Sequence, residues 1–569
     1  MLIITNYINL IEGFMKNLIF MFGLFISFLS HADYLDVQNK ELMRSMKYNE
    51  VKEEIENSRE NYLLKKKEDE AKGLKLKDEN KSDNKVYVKN IDVENLDGLV
   101  EVKEILVKYK NKELSNTDIY NLIKELSNKI YEEGYVTSII TLCDKAIVDN
   151  TLCLSVKWGR IHSFTENEKE SSLRGKATVL SSYPKNRNDI VNIKDIDQAI
   201  ENSNSSFQST KIKIMPSENE GYSNIDYSIT HRYIPSLNLS MGNGGNGNKN
   251  GRFKYDATIN YGGLLSFNER YTIGGSARKF EKKNYVENNK FISFGVPFGY
   301  YDFSTFYAQS YSKNPLVIAN VNFPYESEMK NYNFNLKKKV FRSKYNNSNV
   351  KLALNFKETQ NYLDSSLLQS SSNNYTDIVT GIDGTFSNEY GTFYIDTSYT
   401  QGIGMNNANK SAYNGNKGKY ISMVSGNLSY QKVFNANDNI FSFYSSGAYQ
   451  YVGGSNLISN YKSSIGDEYS IRGLNSSTAL SYDSSIYFNN TLNKPMKFNT
   501  LNITPFVGFD FGLGRNNEIM STQYFYSVSS GLKLDYSIVN VSVAYGKLLY
   551  LSSDNVYPGV FYIRTSVRI

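Results

Sequence analysis

The amino-acid sequence predicts a β-rich membrane protein: an antiparallel transmembrane β-barrel of about sixteen strands, preceded by two small α/β domains and an amino-terminal helix. Three observations predict it. The chain holds 46 Tyr and 31 Phe but one Trp and 9 Pro, with a mean hydropathy of -0.46, so it is rich in aromatics yet polar on average. After His231, runs of roughly ten alternating residues separated by Asn, Gly and Ser continue to the end, with no helical period. Ahead of them, the order strand, helix, helix, strand, strand occurs twice, an internal repeat of about 70 residues.

The first segment reads as a leader. Met15-Lys16 opens a basic region, Leu18 to Leu29 is an apolar run too short to span a bilayer, and Ser30-His31-Ala32 offers a small-x-small cleavage site. Residues 1–32 are therefore expected to be a signal peptide cleaved before Asp33, with Met15 as an alternative start. No later segment has about 18 consecutive apolar residues, so an exported chain would cross a membrane only with strands.

Residues 33–84 are dense in Lys and Glu. Leu42, Met46, Val51 and Ile55 form a helical stripe before charge takes over, which predicts an amphipathic helix followed by a charged linker; a disordered spacer throughout is the alternative. Residues 85–158 predict the first α/β domain: a strand at Val86 to Val93, helices at Val100 to Lys110 and Thr117 to Glu133, and strands at Tyr135 to Cys143 and Thr151 to Lys157. The second helix places Ile119, Leu122, Ile123, Leu126 and Ile130 on one face and stops at Gly134. Residues 159–231 repeat the pattern, with strands at Arg160 to Phe164, Thr210 to Met215 and Ser223 to Thr230 and helices near Ser171 to Leu180 and Ile193 to Asn204. Cys143 and Cys153 lie on opposite arms of an expected hairpin in an oxidising compartment, where they could form a disulfide; two buried thiols are the alternative.

Residues 232–569 are expected to form the barrel. In Phe253 to Tyr261 the odd positions Phe253, Tyr255, Ala257, Ile259 and Tyr261 are apolar or aromatic, whereas Lys254, Asp256, Thr258 and Asn260 are polar. One face suits lipid and the other water. The last segment repeats this, with Phe561, Ile563, Val567 and Ile569 opposite Tyr562, Arg564, Ser566 and Arg568. A soluble sandwich also alternates, but it does not need so many equally spaced aromatic strands in a row. At about 20 residues per strand and loop, the segment accommodates near sixteen strands.

Composition argues against other classes. The net charge of +6 is modest and spread along the chain, and no module combines Lys and Arg with stacking aromatics, so nucleic acid is not an expected partner. Beyond the leader only His162 and His231 remain, with no phosphate-binding glycine loop and no Cys/His cluster of metal spacing. No catalytic residue, metal or cofactor is expected.

Several segments resemble the TpsB transporters of two-partner secretion, the haemolysin and adhesin secretion family that shares a superfamily with BamA. Gly134-Tyr135-Val136-Thr137-Ser138, Leu152 to Val156 and Gly159-Arg160-Ile161 look like its first POTRA domain. Val191 to Ile200, Ile214-Met215-Pro216 and Gly221-Tyr222-Ser223 look like its second. Ile465-Gly466-Asp467-Glu468-Tyr469-Ser470-Ile471-Arg472-Gly473-Leu474 is similar to the family's VRGY-type segment on a loop folded into the barrel, and five candidate strands follow it, as in the family. In Pro505 to Gly512, alternation turns Val507, Phe509 and Phe511 outward and Asp510 into the lumen between Gly508 and Gly512. The resemblance implies that Arg472, next to Gly473, pairs with Asp510 and locks the loop to the wall. Two features depart from the family: Gly242-Asn243-Gly244-Gly245 stands where an Asp-Asn pair is usual, and the last residue is Ile569 rather than an aromatic.

The resemblance further implies an outer-membrane transporter with periplasmic POTRA domains, a secreted TpsA-type exoprotein as partner, and lipid and the barrel-insertion machinery as its surroundings in assembly. The helix after Asp33 would occupy the pore at rest. Capture of an extended partner is expected at sheet edges of the second domain, with Thr210, Ile212, Ile214, Ser223 and Ile225 as candidate binding residues. A BamA-type assembly factor is the second reading. Two modules rather than a longer array, and the amino-terminal helix, favour secretion, and a passive porin needs no periplasmic arm.

Overall fold

The computed structural model describes residues 36–71 and 85–569, apart from 233, 245–252, 281–284, 319–320, 344, 370, 407–420, 454–456, 458, 475–479, 518–520 and 552–558. The leader expected over residues 1–32 and the linker residues 72–84 lie outside the described residues.

Helix α1 (Asp36–Ala71) extends well past the apolar stripe that predicts it, through a segment rich in Lys and Glu. The first module holds β1 (Lys85–Val88), β2 (Asn90–Glu94), α2 (Lys103–Tyr109), β3 (Lys112–Ser115), α3 (Asn116–Glu132), β4 (Ile139–Val148) and β5 (Thr151–Lys157). A capping box starts α3: the Ser115 hydroxyl accepts from the Asp118 amide, and the Asp118 carboxylate accepts from the Ser115 amide at 2.8 Å. Its buried face, Leu122, Leu126 and Ile130, packs in one core with Leu152, Leu154 and Val156 of β5. The sulfurs of Cys143 and Cys153 are bonded, joining β4 to β5 where the register shifts between Leu142 and Ile147.

Two expectations for this module need correction. The strand expected at Val86 to Val93 is two strands, β1 pairing with β3 and β2 running parallel to β5. The strand expected from Tyr135 begins at Ile139, because the chain first turns with the Ser138 amide on the Tyr135 carbonyl at 3.2 Å.

The second module holds β6 (Arg160–Glu166), β7 (Lys169–Glu170), α4 (Leu173–Ser182), α5 (Ile193–Ser203), β8 (Gln208–Pro216) and β9 (Tyr222–His231), in the sheet order β7-β6-β9-β8. This corrects the predicted edges. Ser223 and Ile225 lie on β9, which is covered on one side by parallel β6 and on the other by antiparallel β8, so its main chain is not free to receive a partner. Thr210, Ile212 and Ile214 lie on β8, which is an edge; their side chains face the module core, while Lys211 and Lys213 face solvent.

The modules are joined through α3 and α5: the Ile193 amide donates to the Gly134 carbonyl at 2.9 Å and the Asn192 amide group to the Glu133 carbonyl at 3.1 Å. Helices α4 and α5 rest on the short turns of the barrel. Asn268 donates to the Ser181 hydroxyl at 2.7 Å, Asn202 to the Gly299 carbonyl at 2.7 Å, and the Tyr300 hydroxyl to Asp195 at 2.6 Å. Burial holds the Asp195 carboxyl above the usual carboxylate range.

From Ser236 on, the described strands close into one antiparallel barrel of sixteen, with the short strands Ser366–Leu367 and Met496–Phe498 as hairpin extensions and Ser463–Ile465 paired with Leu480–Tyr482 in a separate small sheet. The first strand (Ser236–Gly242) meets the sixteenth (Val560–Arg568) from Asn238↔Arg568 to Gly242↔Arg564. Asn243 staples this seam, accepting from the Ile563 amide at 3.0 Å and donating to the Phe561 carbonyl at 2.6 Å. Alternation holds where it is expected. Phe509 is 48% exposed on the outer face, whereas Asp510 is fully buried inside. No helix among the described residues is long and apolar enough to cross a membrane, and the crossing is made by strands.

Candidate functional site

Between the eleventh strand (Asn439–Tyr451) and the twelfth (Ser484–Asn493) the chain leaves the wall and enters the lumen. Its tip is a turn closed by Asp467, whose carboxylate accepts from the Tyr469 amide and the Ser470 hydroxyl, both at 2.9 Å. Ile465, Ile471 and Leu474 then pack with Tyr487, Phe525 and Leu548 in a small apolar core inside the barrel. This core presents Arg472 to the thirteenth strand (Leu501–Asn516).

Arg472 and Asp510 form a buried, bidentate pair. The guanidinium Nε lies 2.8 Å from one carboxylate oxygen, Nη2 contacts the other, and the Arg472 amide adds a bond of 3.0 Å. Two more donors are used, Nη1 on the Thr491 hydroxyl at 3.0 Å and Nη2 on the Asn490 carbonyl at 2.7 Å. Asp510 further accepts from the Asn490 amide at 3.1 Å and the Ser527 hydroxyl at 3.2 Å. A pair this dry and this fully bonded favours a single loop position, because moving either partner exposes an unsatisfied charge.

Gly473 has a φ of +104° and a backbone that abuts Leu548, so a β-carbon fits neither its conformation nor its space. Its amide donates to the Tyr562 hydroxyl at 2.9 Å, which in turn donates to the Leu474 carbonyl at 2.5 Å. Arg564 holds Glu468 at 2.6 Å, so the sixteenth strand clasps the tip as well. Gly508 faces the guanidinium, whereas Gly512 sits against Ile486 and Tyr487 of the neighbouring strand. Gly546, which sequence reasoning missed, leaves space for the Arg472 backbone. Gly546→Ala should loosen the loop by about 1–3 kcal/mol of overpacking, read as faster proteolysis of the loop in the folded barrel; unchanged cleavage would show that the space is not needed.

Helix α1 lies in the lumen below this loop. Arg44 pairs with Asp467 and donates to the Ser470 hydroxyl at 3.3 Å. Tyr48 packs between Tyr444 and Tyr469, with ring centroids 5.6 and 5.2 Å away. Val51 and Ile55 are buried against Tyr394 and Tyr444, Lys47 reaches the Tyr394 hydroxyl at 3.1 Å, and the Thr385 hydroxyl donates to Glu54. At the far end Lys65 pairs with Asp197 of α5 at 2.7 Å. One helix thus touches the inward loop, the eighth to tenth strands and the second module.

Residues 221–534 match the family described as haemolysin secretion/activation protein ShlB/FhaC/HecB. The chain belongs to this family. Residues 84–159 of the transporter also match the ShlB-type POTRA domain. The haemolysin transporter protein HpmB of Proteus mirabilis is 26% identical over 462 residues, covering 78% of each chain. The outer membrane transporter CdiB-2 of Burkholderia pseudomallei is 23% identical, covering 73% of this chain and 71% of the relative. CdiB from Escherichia coli has the same fold, with a TM-score of 0.80 at 17% identity over 95% of this chain and all of the other. The transporter is an outer-membrane barrel of two-partner secretion, a family that exports exoproteins.

Proposed function

We propose that the second α/β module is a second POTRA domain and that its edge strand β8 captures a TpsA-type exoprotein as an added strand, which the barrel then passes outward once α1 leaves the lumen. The observation that carries this reading is the placement of α1, which lies in the lumen against the eighth to tenth strands and joins the inward loop to the second module through Arg44 and Lys65. An edge strand offers unpaired amides and carbonyls to an extended chain whatever its side chains, which suits an unfolded cargo. Folding of the cargo outside would then make passage directional without nucleotide.

Two experiments test this. Deleting the gene should remove one large protein from the culture medium, and restoring the gene should return it; an unchanged set of secreted proteins would refute the export of a dedicated partner. A photo-crosslinker in place of Lys211 or Lys213 should capture the partner during export, whereas one in place of Ser223 should not. Equal capture at Ser223 would move the binding surface off the β8 edge.

A further inference from the structure

On the outer face of the barrel, a lysine with no carboxylate beside it stands at the end of an apolar groove. Phe291 of the fourth strand (Val286–Phe298) packs against Met46 of α1 in the lumen, so its neighbours Lys290 and Ile292 point outward. The groove, about 700 Å³, crosses the barrel seam. It is lined by Val567 of the sixteenth strand, Leu239 and Met241 of the first, Ala257 of the second (Phe253–Gly262), and Gly275 and Ala277 of the third (Arg270–Lys279). Ala257 and Gly275 pair across the second and third strands and form its low floor, whereas Ile259 and Ile273 in the next outward row stand about half exposed and project from the wall.

Lys290 closes the groove, paired in register with Gly275. The same outward row continues through Gln309 of the fifth strand (Tyr301–Ile318) to Lys330 of the sixth (Val321–Arg342). Lys330 is neutralised within the wall, 2.9 Å from Glu328 and 3.8 Å from Glu358. Lys290 is exposed and has no ion pair or hydrogen bond from its side chain among the described residues. Its height says what meets it. The Gly299 carbonyl, which accepts from Asn202 of the second module, marks the periplasmic end of the fourth strand, and Lys290 lies eight residues beyond Phe298. For a strand tilted by about 40° that is about 20 Å along the barrel axis, in the outer half of an apolar band about 25 Å tall. An ammonium on the lipid face is costly at mid-bilayer and tolerated where it reaches the headgroups.

We infer that this groove is a binding site for a phosphorylated, acylated glycolipid of the outer leaflet, with one acyl chain lying on Ala257 and Gly275 across the seam and a headgroup phosphate on Lys290. The height selects the leaflet, the small side chains make room for a chain, and the unpaired ammonium selects a phosphate by a charge-assisted hydrogen bond. The inference goes beyond export and needs only the place of the barrel in the outer membrane. Because the seam ladder is short, from Asn238↔Arg568 to Gly242↔Arg564, a lipid held across it should also raise the heat resistance of the barrel.

The test uses the full chain, stripped of lipid in detergent and placed in phosphatidylcholine nanodiscs with or without lipid A. Native mass spectrometry of the released chain should find lipid A retained by the parent and about tenfold less by Lys290→Gln, the loss expected for one charge-assisted bond. Ala257→Leu fills the groove with an apolar side chain and should lose the lipid while the barrel still folds. Lys330→Gln removes the same charge from the same row and should retain it. The midpoint of the heat-dependent gel shift should rise with lipid A for the parent and not for Lys290→Gln. Equal retention by the parent and Lys290→Gln, or equal loss in Lys330→Gln, would overturn the site. Undiminished retention of lipid A stripped of its phosphates would overturn the headgroup contact.

Discussion

Replacing Arg472 with alanine should abolish secretion while the barrel still resists heat and detergent. The side chain makes the bidentate contact to Asp510 and further bonds to Thr491 and Asn490, and it is only 5% exposed. Removing it leaves a buried carboxylate without its countercharge, a change that costs about 3–5 kcal/mol in buried pairs. That cost falls on the loop and not on the wall, because the barrel ladder of the thirteenth strand with the twelfth and fourteenth is made by backbone groups. The loop loses its fixed end and the wall keeps its shape. Arg472→Lys should rescue little, since an ammonium cannot reproduce the planar fork that engages both carboxylate oxygens and the Asn490 carbonyl. Export assays of both variants, beside the heat-dependent gel shift of the folded barrel, check this. Normal export by Arg472→Ala would refute the role of the lock.

Removal of residues 36–71 should turn a closed barrel into a conducting one. Helix α1 occupies the lumen with buried Val51 and Ile55 and carries Lys47, Glu50 and Glu54 against Asp396, Lys337 and Thr385 on the inner wall. Those wall residues face the lumen in any case and would be hydrated once the helix is gone, so the strands have no reason to collapse inward. Single-channel recording in planar bilayers should show a large and stable rise in conductance over the full chain. Val51→Asp with Ile55→Asp should give a smaller rise, because charge in the Tyr394–Tyr444 contact weakens seating without removing the helix. Equal conductance of the full and shortened chains would mean that the helix is not what closes the pore.

The barrel was legible because its signal is local. Alternation such as Phe509 outward and Asp510 inward follows from the pleat alone and needs no knowledge of neighbours. The Arg472–Asp510 pairing was legible for a different reason: the two segments resemble a known pattern, and alternation independently aims Asp510 inward. What failed to show was pairing between distant segments. Ser223 and Ile225 read as edge residues because nothing near them in sequence reveals that β6, some sixty residues earlier, lies parallel beside them. Strand β3 was invisible because Lys112-Glu113-Leu114-Ser115 carries one apolar residue and no alternation. Gly546 stands in an ordinary alternating strand, and only the approach of the Arg472 backbone gives it a role. Tyr461 and Asp377 are separated by 84 positions and belong to no motif, so their contact appears only in three dimensions.

The most direct measurement is transport by the purified chain alone. In lipid vesicles holding only this protein, an unfolded partner added on the POTRA side, without nucleotide, should cross and become protected from protease. Cargo that stays accessible, or that crosses only when ATP is supplied, would contradict a barrel that exports its partner through its own helix-and-loop-closed lumen.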